Sequence, residues 1–253
     1  WVSDLLKATG GSEKLTLIEQ PTLFQGSLRP YQRAGLSWLA FLDKFGLGAC
    51  LADDMGLGKT IQLIALLQHE REHQVTAIQP MPTTPTMIPG EGPARIGPTL
   101  LVAPMSVVGN WHRELGRFAP ELVCHVHHGL ERPTGEQFER IALGSDIVIT
   151  TYALVTRDKE TLARVHWRRV VLDEAQHIKN PPTKQTAAIR SLRCSHRIAL
   201  TGTPVENRLS ELWSIMEFCS PGYLGSQAEF RRRFAVPIER HRDKRQAERL
   251  RNL

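Results

Sequence analysis

Residues 51 to 60 read Leu-Ala-Asp-Asp-Met-Gly-Leu-Gly-Lys-Thr, and few decapeptides restrict a fold as strongly. The apolar run at 49–52 predicts a short buried strand and the run at 61–67 opens a helix. Between them Gly56 and Gly58 let the backbone curl with its N–H groups inward. A helix start with bare N–H groups attracts phosphate oxygens. In such a loop Lys59 reaches the β- and γ-phosphates and the Thr60 hydroxyl holds Mg²⁺. The run departs from the G-x-x-x-x-G-K-T pattern, because Asp53 stands at the first glycine position. A glycine-rich turn capping a strand is the plainer alternative, and the order strand, turn, helix argues against it.

A second element lies far downstream, where the apolar strand at 170–172 ends in Asp173 and Glu174. Strands of this kind are buried on both faces of a parallel sheet, and ligands bind beyond their carboxyl ends. Phosphoryl transfer to water needs a metal to neutralise phosphate charge and a group to orient the water. Asp173 is assigned to the Mg²⁺ and Glu174 to the water. An acidic pair after a strand is by itself more often a solvated turn; alongside Lys59 it points to a nucleoside triphosphatase.

At 253 residues, 41% of them hydrophobic, the chain can bury the core of one large or two small domains. No run of 18 apolar residues occurs, so no membrane partner is expected. The chain starts at Trp1 with neither a basic nor an apolar leader, and reads as an excised piece rather than a secretory precursor. Cys50, Cys124, Cys194 and Cys219 are scattered, with no C-x-x-C spacing. They read as reduced core thiols of a cytoplasmic protein, not as zinc ligands or disulfides.

The formal charge of +6 is concentrated: residues 231–253 carry nine basic side chains against three acidic ones, an excess equal to that of the whole chain. A nucleic-acid contact argued from charge therefore rests on this helical-looking tail. A solvated helix or hinge, an inter-domain contact and a nucleic-acid contact are its open readings.

Apolar strands at 49–52, 100–103, 123–127, 146–150, 170–172 and 198–200 alternate with helical stretches. That alternation predicts an α/β fold with a mostly parallel sheet flanked by helices on both faces. After the last strand, Leu209, Leu212, Trp213 and Met216 recur at i, i+3, i+4, i+7 and predict a buried helix face. Residues 79–99 hold six prolines and three glycines, too little apolar material to order themselves, and read as a surface insertion. His125 and His127 alternate along a strand, and His69 and His73 lie four apart on a helix; neither pair has the spacing of a metal site.

Several runs then occur in a telling order: Leu28-Arg29-Pro30-Tyr31-Gln32, the loop from Asp53 to Thr60, Pro104-Met105-Ser106 with Asn110-Trp111, Asp173-Glu174-Ala175-Gln176-His177-Ile178-Lys179-Asn180, and Leu200-Thr201-Gly202-Thr203-Pro204. Together they resemble the first RecA-like lobe of a Swi/Snf-type DNA translocase, the chromatin-remodelling branch of helicase superfamily two. Gln176, where many relatives carry His, and the arginine-rich composition suggest a bacterial member. The resemblance implies a P-loop lobe over residues 25–235, a lead-in at 1–24, and a basic tail or hinge at 236–253. It implies ATP binding by Arg29, Gln32, Asp54, Met55, Gly56, Leu57, Gly58, Lys59, Thr60 and Ile61, with the Gln32 amide reading the adenine edge. It also implies that Thr201 and Thr203 couple hydrolysis to the nucleic-acid track.

Ser106, Asn110, Thr150, Thr151, Lys179 and Asn180 fall in segments similar to the family's DNA-contacting motifs, and suit phosphate oxygens. For Ser106 and Asn110 a helix cap is the alternative. The implied partners are double-stranded DNA, a protein bound on it, and a second RecA-like lobe. That lobe supplies arginines worth roughly 10³ to 10⁵ in rate in related nucleotidases. Only 49 residues follow Pro204, too few for such a lobe, so this piece alone is expected to turn ATP over negligibly. A strand-separating DNA or RNA helicase and a non-catalytic nucleic-acid-binding scaffold are the other readings; the intact Lys59, Thr60, Asp173 and Glu174 count against the scaffold.

Overall fold

The computed structural model describes residues 17–54, 56–77, 97–180, 183–205 and 207–253. Most of the proline-rich stretch, the first part of the lead-in and Met55 lie outside them. All six expected strands form: β1 Ala49–Leu51, β2 Thr99–Ala103, β3 Cys124–Val126, β4 Ile147–Thr151, β5 Trp167–Asp173 and β6 Cys194–Leu200. They make one sheet in the order β1-β6-β5-β2-β4-β3, parallel at every pairing. Parallel neighbours need crossovers, and helices supply them. In chain order these are α1 Pro30–Lys44, α2 Lys59–Ala77, α3 Met105–Phe118, α4 Gly135–Leu143, α5 Tyr152–Arg157, α6 Lys159–Ala163, α7 Lys184–Arg190, α8 Leu209–Cys219, α9 Gln227–Phe230, α10 Val236–His241 and α11 Lys244–Arg251.

Alternate strand residues feed two cores, as the period of two requires. Leu101, Ile149, Val171 and Ile198 join Leu36, Leu63 and Trp111 on the face covered by α1, α2 and α3. Leu100, Val148, Val170 and Ala199 join Phe138, Trp167, Ile215 and Phe218 on the other face. Each fully buried Leu, Ile or Phe contributes about 1.5–3 kcal/mol relative to exposure. On the first face α1 meets α2 closely at Gly35, where a Cβ would lie 1.7 Å from the Gln62 Oε1. That approach brings Gln32 against the phosphate loop.

β5 and β6 begin three and four residues earlier than their apolar runs. Two of the polar residues that hide these starts, Arg169 and His196, are buried and paired. Arg169 is fully buried; its guanidinium meets Glu70 of α2 at 2.6 and 3.0 Å, Asp43 of α1 at 3.3 Å and the His196 Nδ1 at 3.1 Å. Because the Arg169 Nε–H donates, His196 Nδ1 accepts, and His196 Nε2–H donates to the Leu47 carbonyl. Burial, reinforced by the Arg169 charge, holds His196 below its ordinary pKa.

The expected face of α8 is corrected. Ile215, Phe218 and Cys219 are the residues it buries in the main core, whereas Leu209, Leu212 and Met216 are only partly buried. The helix is apolar around most of its circumference, so spacing alone could not choose the face. Trp213 and Leu209 instead join Phe230, Phe234, Ala235, Ile238 and Leu250 in a small third cluster. Through it the basic tail, which includes a π-helical turn at Arg231–Ala235, is fastened to α8.

All four cysteines are free. Among the described residues no group of three metal-ligating side chains exists and no helix is long and apolar enough to cross a membrane. The His127 ring is buried and bonds the Asp158 carboxylate at 3.0 Å, which Arg132 also grips.

Candidate nucleotide site

Strand register sets the geometry. Leu51 pairs with Leu200, and Leu200 with Asp173, so the ends of β1, β6 and β5 form one row. With neighbouring strands ~4.8 Å apart, Leu51 and Asp173 are about 10 Å from each other. The phosphate loop leaves the first and the acidic pair ends the last, so both open on the rim where α/β sheets bind ligands. The Lys59 charge is near enough to act on the Asp173 carboxyl.

Gly56 and Gly58 have φ of 84° and 79°, left-handed values that cost a side-chain-bearing residue about 1 kcal/mol or more. A Cβ on Gly58 would lie 2.6 Å from the Gln32 Nε2, whereas one on Gly56 would meet nothing within 4 Å. The loop is therefore closed toward α1 and open outward. The Lys59 ammonium donates to the Asp53 and Asp54 carbonyls at 2.7 and 3.1 Å. Asp53, at the unusual position in the loop, accepts from the Gln62 amide at 2.9 Å and ties the loop to the helix that follows it. Glycine turns, a lysine at their base and a carboxylate opposite are the donor set that a magnesium nucleotide requires.

Gln32 is buried, and both ends of its amide are engaged. Oε1 accepts from the Arg29 N–H at 2.9 Å and Nε2 donates to the Leu57 carbonyl at 3.2 Å. Reading an adenine edge requires exchange of these bonds. Arg29, Asp54 and Leu57 are exposed beside it, and Thr60 and Ile61 are half-buried in the first turn of α2.

The acidic pair is held from several sides. Asp173 Oδ2 accepts from the Trp111 indole N–H at 2.7 Å and Oδ1 from the Glu174 N–H at 3.0 Å. Burial raises the Asp173 pKa, and the Trp111 bond pulls it back. Glu174 adopts φ 50°, ψ 58°, a left-handed conformation of the kind found at functional sites. The Tyr152 hydroxyl donates to the Asp173 carbonyl at 2.7 Å, and its ring stacks on His177 with centroids 4.7 Å apart. Burial and the two carboxylates hold the Tyr152 pKa well above its ordinary value, so it stays a donor.

Beyond Glu174 runs a chain of hydrogen bonds. Gln176 Nε2 donates to the Glu174 carboxylate at 2.7 Å, the Thr201 hydroxyl donates to Gln176 Oε1 at 2.9 Å, and the Thr203 N–H donates to the Thr201 hydroxyl at 3.1 Å. The segment after β6 is thus wired to the acidic pair. Trp111, Tyr152, Gln62 and Gln176 received no role from sequence. Gln176 could have been found, since it sits two residues after Glu174; the others are brought in only by folding.

The nucleic-acid candidates divide. Ser106 and Asn110 are exposed at the start of α3; Ser106 caps nothing, and Asn110 bonds Glu114 at 3.1 Å. Asn180 is exposed and Lys179 half-buried after β5. Thr150 is fully buried with its hydroxyl bonded to the His127 carbonyl at 3.3 Å, and Thr151 caps α5 through the Leu154 N–H at 3.4 Å. These two side chains face inward rather than toward a ligand. The exposed ones line the carboxyl ends of β2 and β5, on the same rim as the phosphate loop.

A family model described as "SNF2-related domain" matches residues 31–253. The chain belongs to the SNF2-related family. This SNF2-related chain is 46% identical to the Bacillus subtilis "Putative ATP-dependent helicase/translocase YwqA" over 98% of its length and 25% of the relative's. It is 36% identical to human "Chromatin-remodeling ATPase INO80" over 91% of its length and 14% of that protein. A solved structure, the "Sulfolobus solfataricus SWI2/SNF2 ATPase core in complex with dsDNA", superposes with a TM-score of 0.75 at 41% identity, covering 92% of this chain and 44% of that one. The SNF2-related chain thus spans a quarter or less of these two curated relatives. The RecA-like fold with a mostly parallel sheet, expected from sequence, is the fold of that ATPase core, and in this chain every strand pairing is parallel.

Proposed function

We propose that this chain is the nucleotide-binding lobe of an ATP-driven motor that moves along double-stranded DNA, in the cytoplasm, and displaces proteins bound there. The observation that carries the reading is the single row of β1, β6 and β5 ends, which brings Lys59 and the Asp173–Glu174 pair to one rim. YwqA, a "Putative ATP-dependent helicase/translocase", and the Sulfolobus core, solved in complex with dsDNA, support ATP as the fuel and duplex DNA as the track.

In this reading Thr60 and Asp173 hold Mg²⁺, which neutralises phosphate charge. Lys59 leaves its loop carbonyls for the phosphates, Glu174 orients and deprotonates the attacking water, and Gln176, Thr201 and Thr203 transmit the change. Ser106, Asn110, Lys179 and Asn180 grip backbone phosphates, which allows stepping on a duplex without opening it. A second lobe closes over the nucleotide.

ATP turnover by the full-length protein, measured in parallel with duplex DNA, single-stranded DNA and RNA, tests this. The largest stimulation is expected from duplex. Strand displacement of a labelled duplex, or stimulation by RNA alone, favours the helicase reading instead.

Asp173 also sets a pH limit. Burial raises its pKa before Mg²⁺ binds, so metal uptake at limiting Mg²⁺, which needs the carboxylate ionised, and turnover with it, weaken as pH falls. The Trp111 N–H favours the ionised form; Trp111→Phe is expected to move the acid limb of the pH–rate profile to higher pH, with the alkaline side unaltered. An unshifted limb would show that another group limits the rate.

A further inference from the structure

The basic tail plays no part in the nucleotide site, yet the fold gives it a definite shape. Arg208 at the start of α8, Arg231 in the π-helical turn and Arg240 of α10 line one concave cavity of about 490 Å³, together with Ser210, Gln227 and Glu239. None of the three guanidiniums has an ion-pair partner among the described residues. Glu239, the one carboxylate among the lining residues, accepts from the Leu209 N–H at 2.6 Å and is directed at the helix start.

Three like charges gathered in a hollow repel one another, and the arrangement is relieved when an anion enters. Guanidinium forks match phosphate oxygens in pairs, a hydroxyl and an amide add neutral donors, and the volume accommodates a phosphodiester with part of its sugar. Phe230 and Phe234 fasten the walls of the hollow to Trp213 of α8. Arg208 lies seven residues beyond Thr201 on the segment wired to Glu174.

We infer that this arginine-lined hollow is a second nucleic-acid contact, a seat for backbone phosphates of duplex DNA separate from the strand-end rim. It rests on the proposed function, and deepens it: occupancy here bears on the segment that reports to the acidic pair. Guanidinium forks fit carboxylate and phosphate alike, and phosphate is chosen over an acidic peptide because the proposed function already sets duplex DNA on this lobe.

The test is a salt series of duplex binding by the full-length protein and by its combined R208Q, R231Q and R240Q variant. Each phosphate contact contributes about 0.9 to the slope of log affinity against log salt. The variant is expected to show a slope shallower by about 2 to 3 and at least ~10-fold weaker binding at fixed moderate salt. ATP affinity without DNA and the melting temperature stay unchanged, and the corresponding lysine variant recovers most of the slope. If the combined variant fails to fold, the single Arg240→Gln change is expected to lower the slope by about 1. An unchanged slope in a folded variant overturns the inference and leaves the proposed function standing. So does loss of binding to polyglutamate with duplex binding intact, which would assign the hollow to an acidic protein partner. A wild-type protein with no salt-dependent affinity for duplex would sink the proposed function itself.

Discussion

Glu174→Gln in the full-length protein is expected to lower ATP turnover by roughly 10³-fold while ATP affinity stays within about two-fold. The amide keeps the size of the carboxylate and can still accept from Gln176 Nε2, so the connection to Thr201 survives. The left-handed backbone at position 174 is no harder for Gln than for Glu. Lys59 and Asp173 are untouched, so phosphate and metal contacts remain. What disappears is the charge proposed to orient and deprotonate water. Single-turnover phosphate release and equilibrium nucleotide binding, measured on the same preparation, separate the two effects. Retention of more than about a tenth of the turnover would remove Glu174 from the chemistry.

The second large effect is on stability and lies at the other end of the same strand. Arg169 precedes Asp173 by four residues on β5, ~13 Å along the strand. Arg169→Met takes the buried cation from the Glu70 and Asp43 carboxylates, 16% and 10% exposed, leaves them only the partly exposed Arg168 guanidinium, and strips the His196 Nδ1 of its donor. Removing one member of a buried ionic network costs about 3–5 kcal/mol. For a chain of this size that corresponds to a melting temperature lower by about 10 °C. Urea unfolding gives the free energy directly. Nucleotide affinity in the folded fraction is expected to be unaffected, since the network lies away from the rim. A loss below about 1 kcal/mol would mean that Arg168 alone neutralises the two acids or that they take up protons.

The contrast between these two sites shows how far sequence alone could be read. The residues of the proposed nucleotide site that are set by local backbone geometry were legible: Gly56, Gly58, Lys59 and Thr60 share one turn, and Asp173 and Glu174 share one strand end. Their spacing is a property of the chain itself. Residues that act across the fold were not. Trp111 reaches Asp173 from 62 positions away, Tyr152 from 21, and Arg169 meets Glu70 from 99. No periodicity links such pairs. Arg169 and His196 even misled, because a charged residue reads as a strand boundary unless its partner is known. The α8 stripe failed for the opposite reason: with apolar residues on most sides, only the neighbouring sheet decided which were covered. Thr150 shows a third case, since a hydroxyl suited to phosphate turned out to serve a buried carbonyl.

The amino-acid order alone determined the parallel α/β class, the phosphate loop and the acidic pair, because each follows from hydrophobic period and turn chemistry within a few residues. The tertiary structure decided that the two motifs share a row, through the pairing of β6 between β1 and β5. It also decided which helix face is buried, which buried charges are paired, and that the arginines of the tail converge on one hollow. Those outcomes depend on distances between segments remote in sequence, and such distances exist only once the sheet has assembled and the helices have packed against both of its faces.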